Sequence, residues 1–99
     1  MSRSKLAILR WKAQSEGGRK ALPTGATYST AARFEGEGES WLNKTWSLVV
    51  EFVEPPNWNS HRVRICFLAE DAPMDLISSG RRFELMEGIQ CVADGVVCD

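Results

Sequence analysis

Hydrophobic and polar residues alternate along most of this 99-residue chain. Ala7, Leu9 and Trp11 form one such series, and the odd-numbered positions from 63 to 67 form another. Successive side chains of a β-strand point to opposite faces, so a period of two is typical of half-buried strands. The pattern predicts strands at residues 5–12, 28–35, 45–53, 61–69, 81–86 and 90–97, with a further candidate at 40–42.

Turn-forming residues separate these runs. Pro55 and Pro56 exclude a central strand there, because proline lacks the backbone donor that a ladder needs. Glu87-Gly88 predicts the tight turn of a final hairpin, where glycine tolerates a positive φ, and Gly95 suits a bulge or a close backbone approach. Many short strands without an amphipathic helix of useful length indicate an all-β sandwich or barrel.

The composition is that of an ordinary globular domain, with 43% hydrophobic and 25% charged residues. We therefore expect one domain over residues 1–99, with residues 1–4 frayed. No hydrophobic run approaches the roughly 20 residues that span a bilayer, and the N-terminal hydrophobic stretch is too short for a signal peptide. The expectation is a cytoplasmic protein that does not bind membranes.

The three cysteines, Cys66, Cys91 and Cys98, are an odd number and a poor disulfide framework. A zinc site with His61 as the fourth ligand is the alternative. His61 and Cys66 are an odd number of positions apart, which puts them on opposite faces of a strand, and no Cys-x-x-Cys spacing is present. We expect free thiols, no metal, and a surface or strand-edge position for His61.

Sequence motifs that carry catalysis are absent. The chain has no phosphate-binding Gly-x-x-x-x-Gly-Lys-Ser/Thr loop and no Gly-x-Ser-x-Gly or His-Glu-x-x-His motif. We therefore expect a protein that is not an enzyme and uses neither a nucleotide nor a cofactor.

Several segments, taken in order, resemble the C-terminal (third) domain of elongation factor Tu, and also small free-standing bacterial proteins that carry this barrel without a GTPase domain. The segments are 7–19, ending in Glu-Gly-Gly-Arg; 28–34, in the place of the family's Tyr-Arg-Pro strand; and 73–83, followed by Glu87-Gly88 and 95–97. The resemblance spans nearly the whole chain and is weak from about 36 to 60. It implies a six-stranded antiparallel Greek-key barrel.

In that family the barrel helps to hold the T-stem of aminoacyl-tRNA, mostly through phosphates. Residues 1–33 hold seven basic side chains against Glu16 alone, which suits such a role. The chain departs from the family at Tyr28-Ser29-Thr30, where the arginine that contacts phosphate is missing. An RNA-binding or tRNA-binding module near translation is therefore an alternative function, with the residues Arg10, Lys12, Arg19, Lys20, Arg33, Glu87 and Gly88.

Tryptophans point to a different partner. Trp11 lies on the inward face of the first strand and is expected in the core. Trp41 and Trp46 lie in the middle section, where the resemblance is weak, and Trp58 lies in the loop that contains Pro55 and Pro56. Exposed tryptophans are enriched at protein interfaces, although each could instead close one end of the barrel. We expect a non-catalytic module that binds a protein through these three residues, as a monomer or a weak homodimer. A structural, self-associating barrel is the third alternative.

Overall fold

The computed structural model describes residues 3–37 and 45–98. Within these ranges the chain forms six strands: β1 Lys5–Trp11, β2 Thr27–Phe34, β3 Trp46–Phe52, β4 Ser60–Phe67, β5 Arg82–Glu87 and β6 Gln90–Val97. The described parts of the connections hold two short 3-10 turns, Gln14–Glu16 and Met74–Ile77. The six predicted strands are confirmed, with ends that differ by at most two residues. The candidate strand at 40–42 lies outside the described residues.

The six strands close into an antiparallel barrel in the spatial order β1-β4-β3-β2-β5-β6, and β6 pairs with β1 to complete it. Closure pairs both sides of every strand, which removes the free edges that otherwise invite aggregation. The prediction of an all-β, six-stranded antiparallel barrel is therefore confirmed.

Alternation along each strand builds the core. Ala7, Leu9 and Trp11 are fully buried, whereas Ile8 and Arg10 between them are partly exposed. The same parity applies to β4, where His61 is 2% exposed and continues the inward series of that strand. Trp11 is thus a core residue, as predicted. The expectation of a surface or strand-edge position for His61 is wrong, because His61 shares the inward parity of its strand.

Antiparallel pairing determines which connections share an end of the barrel. Arg10 is opposite Ser60, so β1 finishes where β4 begins. The other registers bring the end of β3, the start of β2 and the β5–β6 turn to that same end. We call this the hairpin end; it comprises the connections 12–26 and 53–59 and the turn 88–89. Residues 35–37, residue 45 and the connection 68–81 lie at the opposite end.

The final hairpin turns one residue later than expected. Glu87 is the last residue of β5 and pairs with Gln90, so the two turn residues are Gly88 and Ile89. Gly88 has a φ of +65° and Ile89 has a negative φ, the signs of a type II′ turn. Gly95 makes the predicted close approach, since a Cβ there would lie 2.5 Å from the ring of Phe83.

Candidate binding site at the hairpin end

Exposed hydrophobic side chains concentrate at the hairpin end. Val53 and Trp58, in the connection 53–59, are 48% and 40% exposed, and Ile89, in the turn, is 89% exposed. Leu68, at the opposite end, is 65% exposed. Because β-turn tips rarely need a large apolar residue for packing, the side chain of Ile89 has no evident structural purpose where it lies.

A cleft of about 490 Å³ opens between the connection 12–26 and the β5–β6 hairpin. Gln14 and residues 17–21 line one wall, and Glu87 and Gln90 line the other. A cleft of this size falls within the roughly 300–1,000 Å³ of small-molecule pockets and can receive a side chain of a partner. Its lining is largely polar and charged, with Arg19, Lys20 and Glu87 among the side chains.

Backbone hydrogen bonds give the first wall a fixed shape. The amide of Gly18 donates to the carbonyl of Ala13, and the amide of Arg19 donates to the carbonyl of Lys12, each at 2.9 Å. A Cβ at Gly18 would lie 1.9 Å from the Lys12 carbonyl oxygen, so glycine is required for this close approach. The side-chain amide of Gln90 donates to the Gly18 carbonyl at 2.8 Å and thereby ties the first wall to the hairpin.

A carboxylate joins the two walls at the side of the cleft. Glu87 accepts hydrogen bonds from the Arg19 guanidinium and from the Tyr28 hydroxyl. The guanidinium lies over the Tyr28 ring, 5.4 Å from its centroid, in a cation–π arrangement. Partial burial and the hydrogen bond to Glu87 raise the pKa of Tyr28 to about 12, so the phenol keeps its proton and remains a donor. Glu87 therefore balances the charge of Arg19.

Beneath the hairpin end, the indole Nε1–H of Trp11 donates to Nε2 of His61 at 2.9 Å. Because Nε2 accepts, the proton of the neutral ring lies on Nδ1. Nδ1 is buried and has no hydrogen-bond partner within the described residues. Burial lowers the pKa of His61, against opposing effects of the Arg62 backbone and the Glu54 carboxylate. The imidazole is therefore held neutral at physiological pH.

Four charged side chains cross the outer wall in one row, one each on β1, β6, β5 and β2. Arg10 is opposite Asp94, Asp94 is opposite Glu84, and Glu84 is opposite Arg33. Arg10 pairs with Asp94 at 3.4 Å, and Arg33 pairs with Glu84. Two arginines face two carboxylates, so the row carries no net charge and contributes little to attraction of a polyanion.

The seven residues of the RNA-binding alternative divide into two groups. Five lie at the hairpin end: Lys12, Arg19, Lys20, Glu87 and Gly88. The other two, Arg10 and Arg33, belong to the charged row. Lys20 is exposed and lines the cleft. The basic residues are thus spread over an end and a wall of the barrel, with three arginines already paired with carboxylates.

The three tryptophans predicted to bind a partner do not share one surface. Trp58 lies at the hairpin end. Trp46 begins β3 at the opposite end, where it is half-buried against Phe67 with ring centroids 6.2 Å apart. Trp41 lies outside the described residues. Of the two described tryptophans, Trp58 is the one at the same end as the cleft and Ile89.

The described part of the chain offers no arrangement typical of a metal centre. In residues 3–37 and 45–98, no group of three or more histidine, cysteine, aspartate or glutamate side chains could hold a metal ion. Cys66, Cys91 and Cys98 are free thiols. His61 faces inward on β4, and Cys66 lies on the opposite parity, as the spacing predicted. No helix in these ranges is long and apolar enough to cross a membrane.

No protein-family model matches the chain, and no curated protein is significantly similar to it in sequence. What the hairpin end can bind therefore follows from its own chemistry. It combines exposed hydrophobic side chains with a polar cleft on a rigid scaffold, an arrangement suited to recognition of a macromolecular surface.

Three residues that shape this site had no predicted part in it: Tyr28, Ile89 and Gln90. Gln90 was predicted only as the first residue of the last strand, Tyr28 only as a strand residue in the place of the family's motif, and Ile89 was given no role. A signal existed for Ile89, because it lies between the predicted turn and the predicted strand 90–97. The contacts of Gln90 and Tyr28 join segments about 60 to 70 positions apart, and alternation within a strand carries no information about such pairs.

Proposed function

We propose that this chain is a non-catalytic binding module that docks a protein partner at the hairpin end. The supporting observation is that Val53, Trp58 and Ile89 are exposed on two separate connections of the same end. Large apolar and aromatic side chains held on a rigid frame are typical of interface anchors, because little conformational entropy is lost when they are buried.

We also propose that the barrel is a Greek-key barrel of the elongation factor Tu third-domain type. The strand order supports this, because β5 returns beside β2 after the consecutive strands β2, β3 and β4. The Glu16–Arg19 loop and the Glu87-Gly88 segment, two of the segments that resemble the family, lie on opposite sides of the cleft. A shared fold does not transfer a function, so protein binding rests on the exposed side chains and not on this likeness.

Site-specific photo-crosslinking tests the proposed protein docking. A photoreactive phenylalanine analogue replaces Ile89 in one variant and Leu68 in the control, which places a similar probe at the opposite end. We expect defined protein adducts from a cell lysate with the probe at position 89, and their loss when Trp58→Ser is added. Equal adducts from both positions, or adducts that Trp58→Ser leaves unchanged, would contradict docking at the hairpin end. Adducts between two copies of this chain would identify self-association instead.

RNA binding is the second candidate, favoured by the position of Lys20 and Arg19 in the cleft wall. Tryptophan fluorescence titrated with tRNA at low and at physiological salt tests it. Saturable binding that weakens with salt, and that Lys20→Glu reduces more than Lys5→Glu at the opposite end, would support RNA binding. A flat titration of the folded protein at low salt would exclude it, and ribonuclease treatment of the crosslinked samples separates the two candidates directly.

A further inference from the structure

We propose that His61 is a proton-sensitive latch of the hairpin end. The neutral ring accepts the indole hydrogen of Trp11 and holds this end in its closed arrangement, and a protonated ring releases Trp11. As regulation of partner binding, this inference rests on the proposed function, whereas the latch itself is a property of the free protein.

The latch follows from hydrogen-bond chemistry. Protonation places a hydrogen on Nε2 of His61, where it faces the Nε1–H of Trp11 across 2.9 Å. Two donors cannot form a hydrogen bond, so the contact that positions the indole is lost. The resulting cation lies in a site with 2% exposure, where an unpaired charge is strongly unfavourable. Protonation therefore requires the ring to move towards water or the indole to move away.

Few charged groups of the described residues face the His61 ring. The neighbouring side chain on β3 is Phe52, with ring centroids 6.1 Å apart. Arg10 of β1 and Arg62 of β4 have the outward parity of their strands. The charge that acts on His61 comes from Glu54 in the connection 53–59, whose carboxylate accepts from the Arg62 amide at 2.7 Å. The apolar surroundings favour the neutral ring, which corresponds to the closed latch. Glu54 favours the protonated ring, which corresponds to the open latch.

Trp11 connects the latch to the cleft. Its ring meets the edge of Tyr28 with centroids 5.2 Å apart and an interplanar angle of 83°. The Tyr28 hydroxyl donates to Glu87, which also binds Arg19. A continuous series of contacts thus runs from His61 to both walls of the cleft, so displacement of the indole loosens the walls together.

The burial of His61 determines the direction of the pH effect. The unfolded chain has a histidine pKa of about 6.5, and burial lowers the folded value. The unfolded or open form therefore binds the proton more readily as the pH falls below about 6.5. The latch is fully closed above this pH and opens as the pH falls towards the folded pKa. Because His61 is the single histidine of the chain, no other imidazole contributes in this range.

Hydrogen exchange measured by NMR on the free protein tests the latch at about pH 7.5 and about pH 5. After correction for intrinsic exchange, we expect protection of the Gly18 and Arg19 amides to fall about tenfold at the lower pH, a typical size for a coupling between sites. The Val97 amide, bonded to Arg81 at the opposite end, should keep its protection. The indole N–H signal of Trp11 should shift over the same pH range.

His61→Gln is the matched control, because its amide oxygen can accept from Trp11 but does not titrate. This variant should keep its hairpin-end protection at both pH values, whereas Trp11→Phe should lower it at both. An equal loss of protection at both ends of the barrel, or a pH effect that persists in His61→Gln, would overturn the latch. Crosslinking at position 89 at both pH values is independent: exchange that responds to pH without any adduct would retain the latch and remove the proposed docking.

Discussion

The cleft wall at residues 12–21 requires glycine at position 18. The substitution Gly18→Ala measures how much this glycine contributes to the free energy of unfolding. The added Cβ would lie 1.9 Å from the Lys12 carbonyl oxygen, 1.1 Å inside the 3.0 Å that real Cβ contacts respect. Its nearest neighbours also include the Lys12 carbonyl carbon at 2.5 Å. These are backbone atoms, so no rotamer change can relieve the overlap, and the two segments must separate.

Separation breaks the hydrogen bonds from Gly18 to Ala13 and from Arg19 to Lys12. At about 0.5–1.5 kcal/mol each, the two bonds account for about 1–3 kcal/mol. With an overpacking cost of about 1–3 kcal/mol, the free energy of unfolding should fall by about 2–6 kcal/mol. For a domain of this length, each 1 kcal/mol shifts the melting temperature by about 4–8 °C. Urea unfolding followed by tryptophan fluorescence measures the loss as a lower midpoint with an unchanged slope.

The neighbouring Gly17 is the matched control for this measurement. Gly17 has a φ of +85° and no atom within 4 Å of a Cβ placed there, so Gly17→Ala has only the backbone strain to bear. That strain is about 1–2 kcal/mol. A Gly18→Ala variant that is no less stable than Gly17→Ala would refute the close-approach argument, because the two substitutions add the same atom one position apart.

Two further substitutions test contacts in the core and at the cleft. Gly95→Ala places a Cβ 2.5 Å from Cζ of Phe83, and the overpacking should lower the free energy of unfolding by about 1–3 kcal/mol. In a Phe83→Leu background, Gly95→Ala should lower the free energy of unfolding by less than it does in the wild-type background, measured by the same urea titration. An equal loss in both backgrounds would assign the strain to the Ile8 carbonyl, 3.0 Å away. Because Tyr28 has a pKa of about 12 against an ordinary 10.0, its contribution to stability is present below about pH 10 and declines between about pH 10 and pH 12. Absorbance of the single tyrosinate in the chain should follow this raised pKa, and Tyr28→Phe should remove that part of the alkaline decline. An ordinary titration near pH 10 would contradict the partial burial of Tyr28 together with its hydrogen bond to Glu87.

The strands could be predicted because each depends on a local repeat. In β1, the series Ala7, Leu9 and Trp11 already contains both the extended geometry and the buried face. The alternation along β4 likewise predicts an inward position for His61, which shares the parity of Val63. The polar character of histidine favoured a surface position in the prediction. The hydrogen bond from the buried indole of Trp11 explains why His61 can lie inside.

The candidate site could not be predicted in the same way because its contacts join distant segments. Gln90 reaches Gly18 and Glu87 reaches Arg19 across 72 and 68 positions. Pairing of distant charges also changed the electrostatic picture: Arg10 and Arg33 belong to a strongly basic third of the sequence, yet each faces a carboxylate from the last third. Segment charge therefore says little about the field of a closed barrel, in which the first and last strands are neighbours.

The pairing of β1 with β6 has a consequence for attachment. Ala7 is opposite Val97, and the Cys98 amide donates to the Leu6 carbonyl at 2.9 Å, so the first and last strands enter and leave the barrel side by side. Both lie at the end away from the cleft. A tether, a fluorescent label or a sensor surface joined to either of these points would leave the cleft, Trp58 and Ile89 facing outward, with the length of the barrel between them and the support.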